Sequence, residues 1–374
     1  MLDSSIQSSA ILTRIQPIAL ICISKDNGLN FALLRRALIV YKHVERGSHR
    51  GPPLHHQRHN PLPCGFVGKT LHIRNEPLHC LTFDIEEHFQ VSRFDSPIRR
   101  RHWGAFESRV TANTCKVLEL LARHQTRATF FVLGWVAERH PGLIKQIAEC
   151  GHEIASHGYG HELVTAQTPE LFRTDVRKSK QLLEDLTGAP IQGYRAPGFT
   201  ITRETPWALP ILAEEGYTYD SSLVPIRHEH CGLPGSDPWH HVKQTSSGPI
   251  WEVPPSTVNL GGVRIPIAGG SYFRLLPFAA LCGLMRRIEL KGHPLVMYFH
   301  PWELDPQQPR MEGPFFSQLA HYLNLDKMEP RITTLLNTFR FGPISEQIDL
   351  SPILPLEPTV LPAIPPAEIA QDVA

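Results

Sequence analysis

From residue 77 onward, short apolar runs alternate with longer stretches of helical periodicity, and this alternation constrains the fold more than any other feature of the chain. Strand–helix–strand repeats predict parallel pairing, because each helix returns the chain to the same edge of the sheet. Strands are predicted at 78–85, 128–134, 152–158, 191–197, 219–223, 251–256 and 294–300, and helices at 110–124, 142–150, 168–188, 207–215 and 277–290. We therefore predict an α/β fold around a parallel sheet, either open or closed into a barrel.

The two ends of the chain lack this alternation. Residues 1–76 contain a segment rich in Pro, Gly, His and Arg, and residues 343–374 are rich in proline without an apolar period. Such segments bury too little apolar surface to offset the loss of chain entropy. We predict a disordered, irregular N-terminal extension over 1–76, a folded domain over 77–342 and a disordered Pro-rich tail over 343–374.

Charge and hydropathy exclude several classes of protein. Lys and Arg number 37 and Asp and Glu number 36, so no basic excess would drive binding to nucleic acid. The apolar segment 15–23 is shorter than the roughly 18 residues that span a bilayer, and no small-residue cleavage pattern follows it. We predict no nucleic-acid partner, no transmembrane segment and no convincing signal peptide. The predicted location is cytoplasmic or peripheral at the inner membrane.

Chemically active side chains follow several predicted strands, at the edge where parallel α/β folds place their sites. His157 and His161 are four residues apart, a spacing that brings two imidazoles to one face of a helical turn. A hydrolytic zinc ion takes three protein ligands and keeps a further position open. Glu86 is the expected third ligand, because strand alternation points it to the same side as Asp84. Two surface histidines would show the same spacing, and Glu87 is a rival ligand if the strand ends early.

Three further residues have acid–base chemistry. Asp84 could act as a base, Arg195 as the partner of that base, and His300 as an acid. A carboxylate beside an activated water can accept a proton, although Asp at a strand end also serves as a solvated loop residue or a helix cap. Arg195 follows an apolar run, so a buried guanidinium there would need a carboxylate partner such as Asp84. His300 follows five mostly apolar residues, which places it at a strand end.

Five motifs resemble those of the NodB-homology polysaccharide deacetylases, family 4 of the carbohydrate esterases. In chain order they are TFDIEEHF, HGYGH, YRAPGF, YDSS and YFHPWE. The segments GGSYFRLLP, HPWELDPQQPR and 321–341 resemble the exosortase-associated exopolysaccharide deacetylase branch. The resemblance covers residues 77–342. It implies a distorted (β/α) barrel with fewer than eight regular strands, one divalent metal ion, usually zinc, and removal of N-acetyl groups from amino sugars.

The resemblance also implies a role for each matched residue. Asp84 matches the catalytic base, Arg195 the arginine that holds the base, and His300 the general acid. His157 and His161 match the metal ligands.

The chain departs from the family pattern in two places. Many members have two adjacent aspartates, the second of which binds metal, whereas Ile85 follows Asp84 here. A subset of similar sequences has D-x-D or D-x-E, which makes Glu86 the ligand. Because Glu is one methylene longer than Asp, the ion would sit differently or bind more weakly. Gly198 stands where an aromatic is frequent, which would open the pocket to a bulkier chain.

Further residues are expected to assist. The backbone N–H of Gly198 would stabilise an oxyanion, and either Asp220 or Glu252 would orient His300. The rings expected either to stack on sugars or to pack in the core are Tyr159, Phe199, Tyr272, Phe273 and Trp302.

Two other functions fit the same motifs. One is hydrolysis of a cyclic amide, an imide or a formamido sugar on the same scaffold, and the other is non-catalytic glycan binding. The C-terminal half favours a polysaccharide, and a binding domain needs no paired base and acid. The expected partners are therefore a polysaccharide or oligosaccharide substrate and the machinery of exopolysaccharide synthesis.

Overall fold

This computed structural model describes residues 78–94, 96–228 and 231–348. The predicted N-terminal extension lies outside the described residues, as does the predicted tail apart from 343–348. Those last residues include the short helix Ile344–Gln347. Ile344 and Ile348 are buried against Cys80 and other residues of the sheet. The packed part of the chain therefore extends past the predicted boundary at 342, because these apolar side chains cover one end of the sheet.

Eight of the nine strands of the main sheet pair in parallel. The strands of the described residues are β1 His79–Ile85, β2 Thr129–Val132, β3 Glu153–Ser156, β4 Gly193–Tyr194, β5 Tyr219–Asp220, β6 His241–Thr245, β7 Gly248–Glu252, β8 Thr257–Leu260, β9 Val263–Pro266, β10 Val296–Phe299 and β11 Phe341–Gly342. The order of the main sheet is β10-β1-β2-β3-β4-β5-β7-β6, with only β6 antiparallel, and β11 pairs with the start of β1. Strands β8 and β9 form a separate two-stranded sheet. Six of the seven predicted strands contain one of the parallel strands, and the predicted strand at 251–256 overlaps only the last two residues of β7. The predicted α/β fold class is confirmed.

Ser256 links the two ends of the parallel array. The segment after β7 reaches β10, where the Ser256 N–H donates to the Val296 carbonyl at 3.0 Å. The Val296 N–H donates to Ser256 Oγ at 2.8 Å. Pro254 and Pro255 have no N–H to donate, so a regular ladder cannot form here. The result is a distorted barrel in which hydrogen bonds of Ser256 connect the segment after β7 to β10.

Helices cover the outside of this barrel. They are α1 Pro97–Arg101, α2 Val110–Arg123, α3 Gly134–Arg139, α4 Pro141–Glu149, α5 Pro169–Thr187, α6 Ala208–Glu214, α7 Gly270–Leu275, α8 Phe278–Glu289, α9 Phe315–Tyr322, α10 Met328–Thr338 and α11 Ile344–Gln347. The longest, α5, has the caps that its sequence predicts: Thr168 Oγ1 accepts from the Leu171 N–H, and Gly188 ends the helix with φ 68°. In the described part of the chain, no helix is both long and apolar enough to cross a membrane.

Strand alternation divides the core into two layers. Along β1, Leu81, Phe83 and Ile85 belong to the large cluster that packs against the helices. Cys80 belongs to a smaller cluster inside the barrel, together with Phe131, Ala155, Tyr219, Val253, Val296 and Ile344. Because side chains alternate along a strand, Asp84 points to the same side as Cys80. The interior is therefore apolar at one end and carries the charged strand-end residues at the other.

Two hairpins in the second half were not predicted. The antiparallel pair β6–β7 and the pair β8–β9 interrupt the strand–helix repeat. Gly261 and Gly262 form the turn of the second hairpin with φ 61° and 86°. Two consecutive positive φ angles are typical of a two-residue hairpin turn, so this Gly-Gly pair was a usable sequence signal.

Candidate active site

Glu86 occupies the centre of a buried group of charged side chains at the carboxyl end of β1. Its Oε2 lies 2.8 Å from His161 Nε2, and its Oε1 lies 3.6 Å from His300 Nε2. Burial alone would raise the pKa of Glu86, but the facing imidazoles outweigh it and lower that pKa to about 2. Glu86 is therefore an ionised carboxylate at neutral pH.

His157 presents one free ring nitrogen to the same space. Its Nδ1 lies 2.7 Å from the Arg195 carbonyl oxygen, an acceptor, so Nδ1 carries the proton and Nε2 keeps its lone pair. Burial lowers the pKa of His157 to about 4, which keeps the ring neutral. A neutral imidazole with a fixed tautomer has the form that a metal ion requires.

The loop that carries both histidines is irregular rather than helical. Gly158 has φ 74° and His161 has φ 53°, so the sequence argument from a shared helical turn is wrong. Instead, helix α5 holds the loop, because Asp175 accepts hydrogen bonds from the Tyr159 N–H at 2.9 Å and the Gly160 N–H at 3.2 Å. These contacts stabilise a left-handed backbone at His161, which a non-glycine residue rarely adopts.

Glu86, His157 and His161 together form a three-residue cluster suited to a cation. One ligand atom from each lies within 4.8 Å of the others, and all three side chains are buried. Among the described residues, this is the only group of three or more His, Cys, Asp or Glu side chains with that geometry. One carboxylate oxygen and two imidazole nitrogens are the donors that zinc sites use in hydrolases.

Arg195 holds Asp84 at the edge of this cluster. Its Nη1 donates to Asp84 Oδ1 at 2.6 Å and to Thr82 Oγ1 at 2.8 Å, and Nη2 donates to Ser221 Oγ at 2.9 Å. The guanidinium is fully buried and lies 4.0 Å from the centre of the Phe131 ring. Asp84 Oδ2 is left facing His300 Nε2 at 3.9 Å. The arginine therefore fixes one oxygen of Asp84 and leaves the other toward the site.

His300 is oriented by Glu303, not by Asp220 or Glu252. Its Nδ1 lies 3.5 Å from Glu303 Oε2, and its backbone N–H donates to the same oxygen at 3.1 Å. About 18% of its side-chain surface is exposed, against 3% for Asp84 and Glu86, so His300 faces the cleft. The capping contact follows from the HPWE sequence, since a residue at i+3 can reach back to the backbone N–H at the start of a helical turn.

Arg274 in turn neutralises Glu303. Its Nη1 contacts Glu303 Oε1, and both side chains are buried. Burial raises the pKa of Glu303, but Arg274 and His300 outweigh it and lower that pKa. Gly270 makes room for this carboxylate, because a Cβ there would lie 1.8 Å from Glu303 Oε1. The GGSYFR motif therefore supplies both the space and the counter-charge for Glu303.

Asp220 and Glu252 interact with each other below the site. Burial raises the pKa of Glu252 well above its usual value and that of Asp220 to about 6. Ser222 Oγ donates to Asp220 Oδ1 at 2.6 Å and accepts from the Ala196 N–H at 2.8 Å. The pair therefore supports the turn that follows Arg195.

Glu87 points away from the cluster. Its two carboxylate oxygens accept from the Arg109 N–H at 3.1 and 3.0 Å, at the start of helix α2. Ser108 Oγ donates to the same carboxylate. This arrangement is an N-terminal helix cap, with the negative charge beside the positive end of the helix dipole.

The five candidate rings divide into two groups. Tyr159, Phe199 and Tyr272 are half-buried and stay candidates for contact with a sugar. Phe273 is fully buried in the large core cluster, and Trp302 is 4% exposed. The sequence could not separate these groups because aromatic residues serve both purposes.

Comparison with known proteins agrees with this geometry. Residues 79–219 match the family described as polysaccharide deacetylase, and residues 221–349 match a family described as a domain of unknown function. In its first half, residues 79–219, the chain is thus similar to polysaccharide deacetylase domains. The structure unites both halves in one barrel, since β1 to β5 come from the first match and β7 and β10 from the second.

Several curated relatives are deacetylases. A peptidoglycan deacetylase of Helicobacter pylori is 30% identical over 142 residues, which cover 37% of this chain and 46% of the relative. A peptidoglycan-N-acetylglucosamine deacetylase of Bacillus cereus is 34% identical over 25% of this chain and 35% of the relative. A chitooligosaccharide deacetylase of Rhizobium leguminosarum bv. trifolii is 34% identical over 19% and 33%, respectively. The matches span less than half the length of each of these three relatives.

Proposed function

We propose that this chain is a metal-dependent hydrolase that removes N-acetyl groups from amino sugars of an exopolysaccharide. One observation carries the proposal: the three-ligand cluster lies beside Asp84 on one side and beside His300, whose side chain is about 18% exposed, on the other. The polysaccharide deacetylase match over residues 79–219 supports the substrate class. The exopolysaccharide as polymer, its synthesis machinery as partner, and the cytoplasmic or inner-membrane-peripheral location stay predictions from the sequence.

Glu86, His157 and His161 would hold the metal ion, which we propose is zinc. When bound, such an ion polarises the acetyl carbonyl and activates a water molecule. Asp84 accepts the proton of the attacking water through Oδ2, because Arg195 occupies Oδ1.

Two groups around the cleft are proposed to assist the later steps, one at the leaving amine and one at the oxyanion. His300 donates a proton from Nε2 to the sugar nitrogen, which makes the amine a better leaving group than hydroxide. We propose that the backbone N–H of Gly198 stabilises the oxyanion. The next N–H along the chain, that of Phe199, is already used in a hydrogen bond to the Ala196 carbonyl at 3.0 Å. Water and the N-acetyl group become acetate and a free amine.

One experiment tests the proposal and its rivals together. Acetate release from N-acetylglucosamine oligomers and metal content are measured on the same preparation, with a small cyclic imide as a second substrate. We expect about one metal ion per chain, release of acetate and its loss on chelation. Imide hydrolysis without acetate release would favour the cyclic-amide reading, and oligomer binding without turnover would favour a glycan-binding domain.

We predict that replacing Glu303 by glutamine moves the alkaline limit of activity to lower pH. Burial disfavours the charged form of His300, but the carboxylates of Glu86, Glu303 and Asp84 outweigh it and raise its pKa to about 9. The acid is protonated below that pKa, so activity persists at neutral pH and is lost as the pH rises through it. Removing one carboxylate should lower the pKa by roughly one to three units.

The measurement is turnover as a function of pH in the metal-loaded enzyme. A cation bound to Glu86 would offset part of the negative charge that raises the pKa of His300. The alkaline limit of wild-type activity should therefore lie below pH 9. Glu329→Gln is the matched control, since Glu329 is exposed and pairs with Arg123. If Glu303→Gln and the wild type have the same alkaline limit of activity, Glu303 does not raise the pKa of His300 in the working enzyme.

A further inference from the structure

Trp302 lies at the junction of the two halves of the site. It follows β10 in the short turn Pro301–Leu304, and only 4% of its surface is exposed. Its indole stacks on two imidazoles, with ring centres 5.0 Å from His300 and 4.2 Å from His321. The interplanar angles are 23° and 16°, respectively. These two stacking contacts hold the indole in one orientation.

That orientation points the only polar atom of the indole at Glu86. Trp302 Nε1 donates to Glu86 Oε1 at 3.1 Å, whereas Oε2 lies 2.8 Å from His161 Nε2. The two oxygens of one carboxylate therefore have different surroundings. A free glutamate has one more rotatable bond than an aspartate, so its carboxylate could turn and present both oxygens to a cation. The indole N–H opposes that rotation.

We propose that Trp302 is a positioning residue that makes Glu86 a one-oxygen ligand by holding Oε1 away from the two histidines. This inference rests on the proposed metal site. Trp302 belongs to residues 221–349, whereas Glu86 belongs to the polysaccharide deacetylase match over 79–219. The second half of the chain thus controls a ligand supplied by the first half. It also compensates for the longer side chain that the D-x-E sequence places at the site.

The structure offers a sharp variant and a matched control. Trp302→Phe keeps an aromatic ring for stacking on the two imidazoles but removes the N–H donor. Trp103→Phe makes the same chemical change at another buried tryptophan, whose Nε1 has no acceptor among the described residues. Groups that orient a metal ligand typically change metal affinity 10- to 100-fold when they are removed.

The experiment measures binding of Zn²⁺ by competition with a chelator and the visible absorption of the Co²⁺-loaded protein. We expect Trp302→Phe to bind Zn²⁺ about 10-fold or more weakly. We also expect its Co²⁺ absorption to weaken, because a second oxygen of Glu86 raises the coordination number. Trp103→Phe should match the wild type in both. A role of Trp302 in packing alone would lower the stability of the apoprotein without changing the Co²⁺ spectrum.

Two results distinguish the failure of this inference from the failure of the proposed function. If the wild-type protein binds Zn²⁺ and Trp302→Phe has unchanged affinity and spectrum, Trp302 does not position Glu86. If the wild-type protein binds neither metal, the proposed site itself is wrong. Should Trp302→Phe fail to fold, indole ¹⁵N resonances of the wild-type protein provide the second measurement. One indole N–H should shift strongly with Co²⁺ and stay protected from solvent exchange, and its absence would overturn the inference.

Discussion

Replacing Asp84 by asparagine should reduce turnover by roughly 10²- to 10⁴-fold while the metal stays bound. The amide keeps the size of the side chain but cannot accept a proton from water. The proposed ligands remain in place, because Asp84 lies outside the three-residue cluster. Turnover, metal content and melting temperature are measured on one preparation. Loss of the metal in Asp84→Asn would make Asp84 a ligand and contradict the proposed roles.

The same change should also destabilise the fold, because it leaves a buried guanidinium without its charge partner. Arg195 is fully buried and forms its ion pair with Asp84 at 2.6 Å. Breaking such a buried pair costs on the order of 3–5 kcal/mol. Thr82→Val is the control. Thr82 Oγ1 also accepts from Arg195 Nη1, at 2.8 Å, but Thr82 does not act as the catalytic base. This variant should lower stability and retain most turnover, which separates the two roles of Asp84.

The sequence was most informative where regular strands determine the geometry. Strand alternation along β1 predicts that Asp84 and Glu86 share one side and that Ile85 packs in the apolar shell, and the structure places them so. Arg195 was assigned a carboxylate partner because a buried guanidinium requires one. Each of these inferences depends only on local periodicity or on the chemistry of one side chain.

Long-range contacts were harder to predict. Arg274 and Glu303 are 29 residues apart, and nothing in local periodicity pairs them. Asp220 and Glu252 were candidates because carboxylates commonly orient a catalytic histidine. However, β5 and β7 are neighbours in register and turn the two carboxyl groups toward each other. The indole of Trp302 reaches Glu86 across 216 residues, so only the closed barrel brings them together.

The second large effect that we predict is on metal binding, and it distinguishes Glu86 from Glu87. Glu86→Ala should abolish most metal binding, because two neutral imidazoles remain where hydrolytic zinc sites have three protein ligands. Among the described residues, Glu86 is the only carboxylate in the three-residue cluster. Metal analysis after dialysis against a defined Zn²⁺ concentration measures the loss.

Glu87→Ala is the matched comparison, one residue away and equally buried. Its carboxylate accepts from the Arg109 N–H at the start of helix α2, so the substitution removes a cap and should cost about 1 kcal/mol of stability. Metal content should stay near the wild-type value. The two variants therefore predict opposite phenotypes: loss of metal for Glu86 and loss of stability with metal retained for Glu87. A reversed pattern would move the ligand by one residue along the chain, and it would require the end of β1 to turn so that Glu87 faces the histidines.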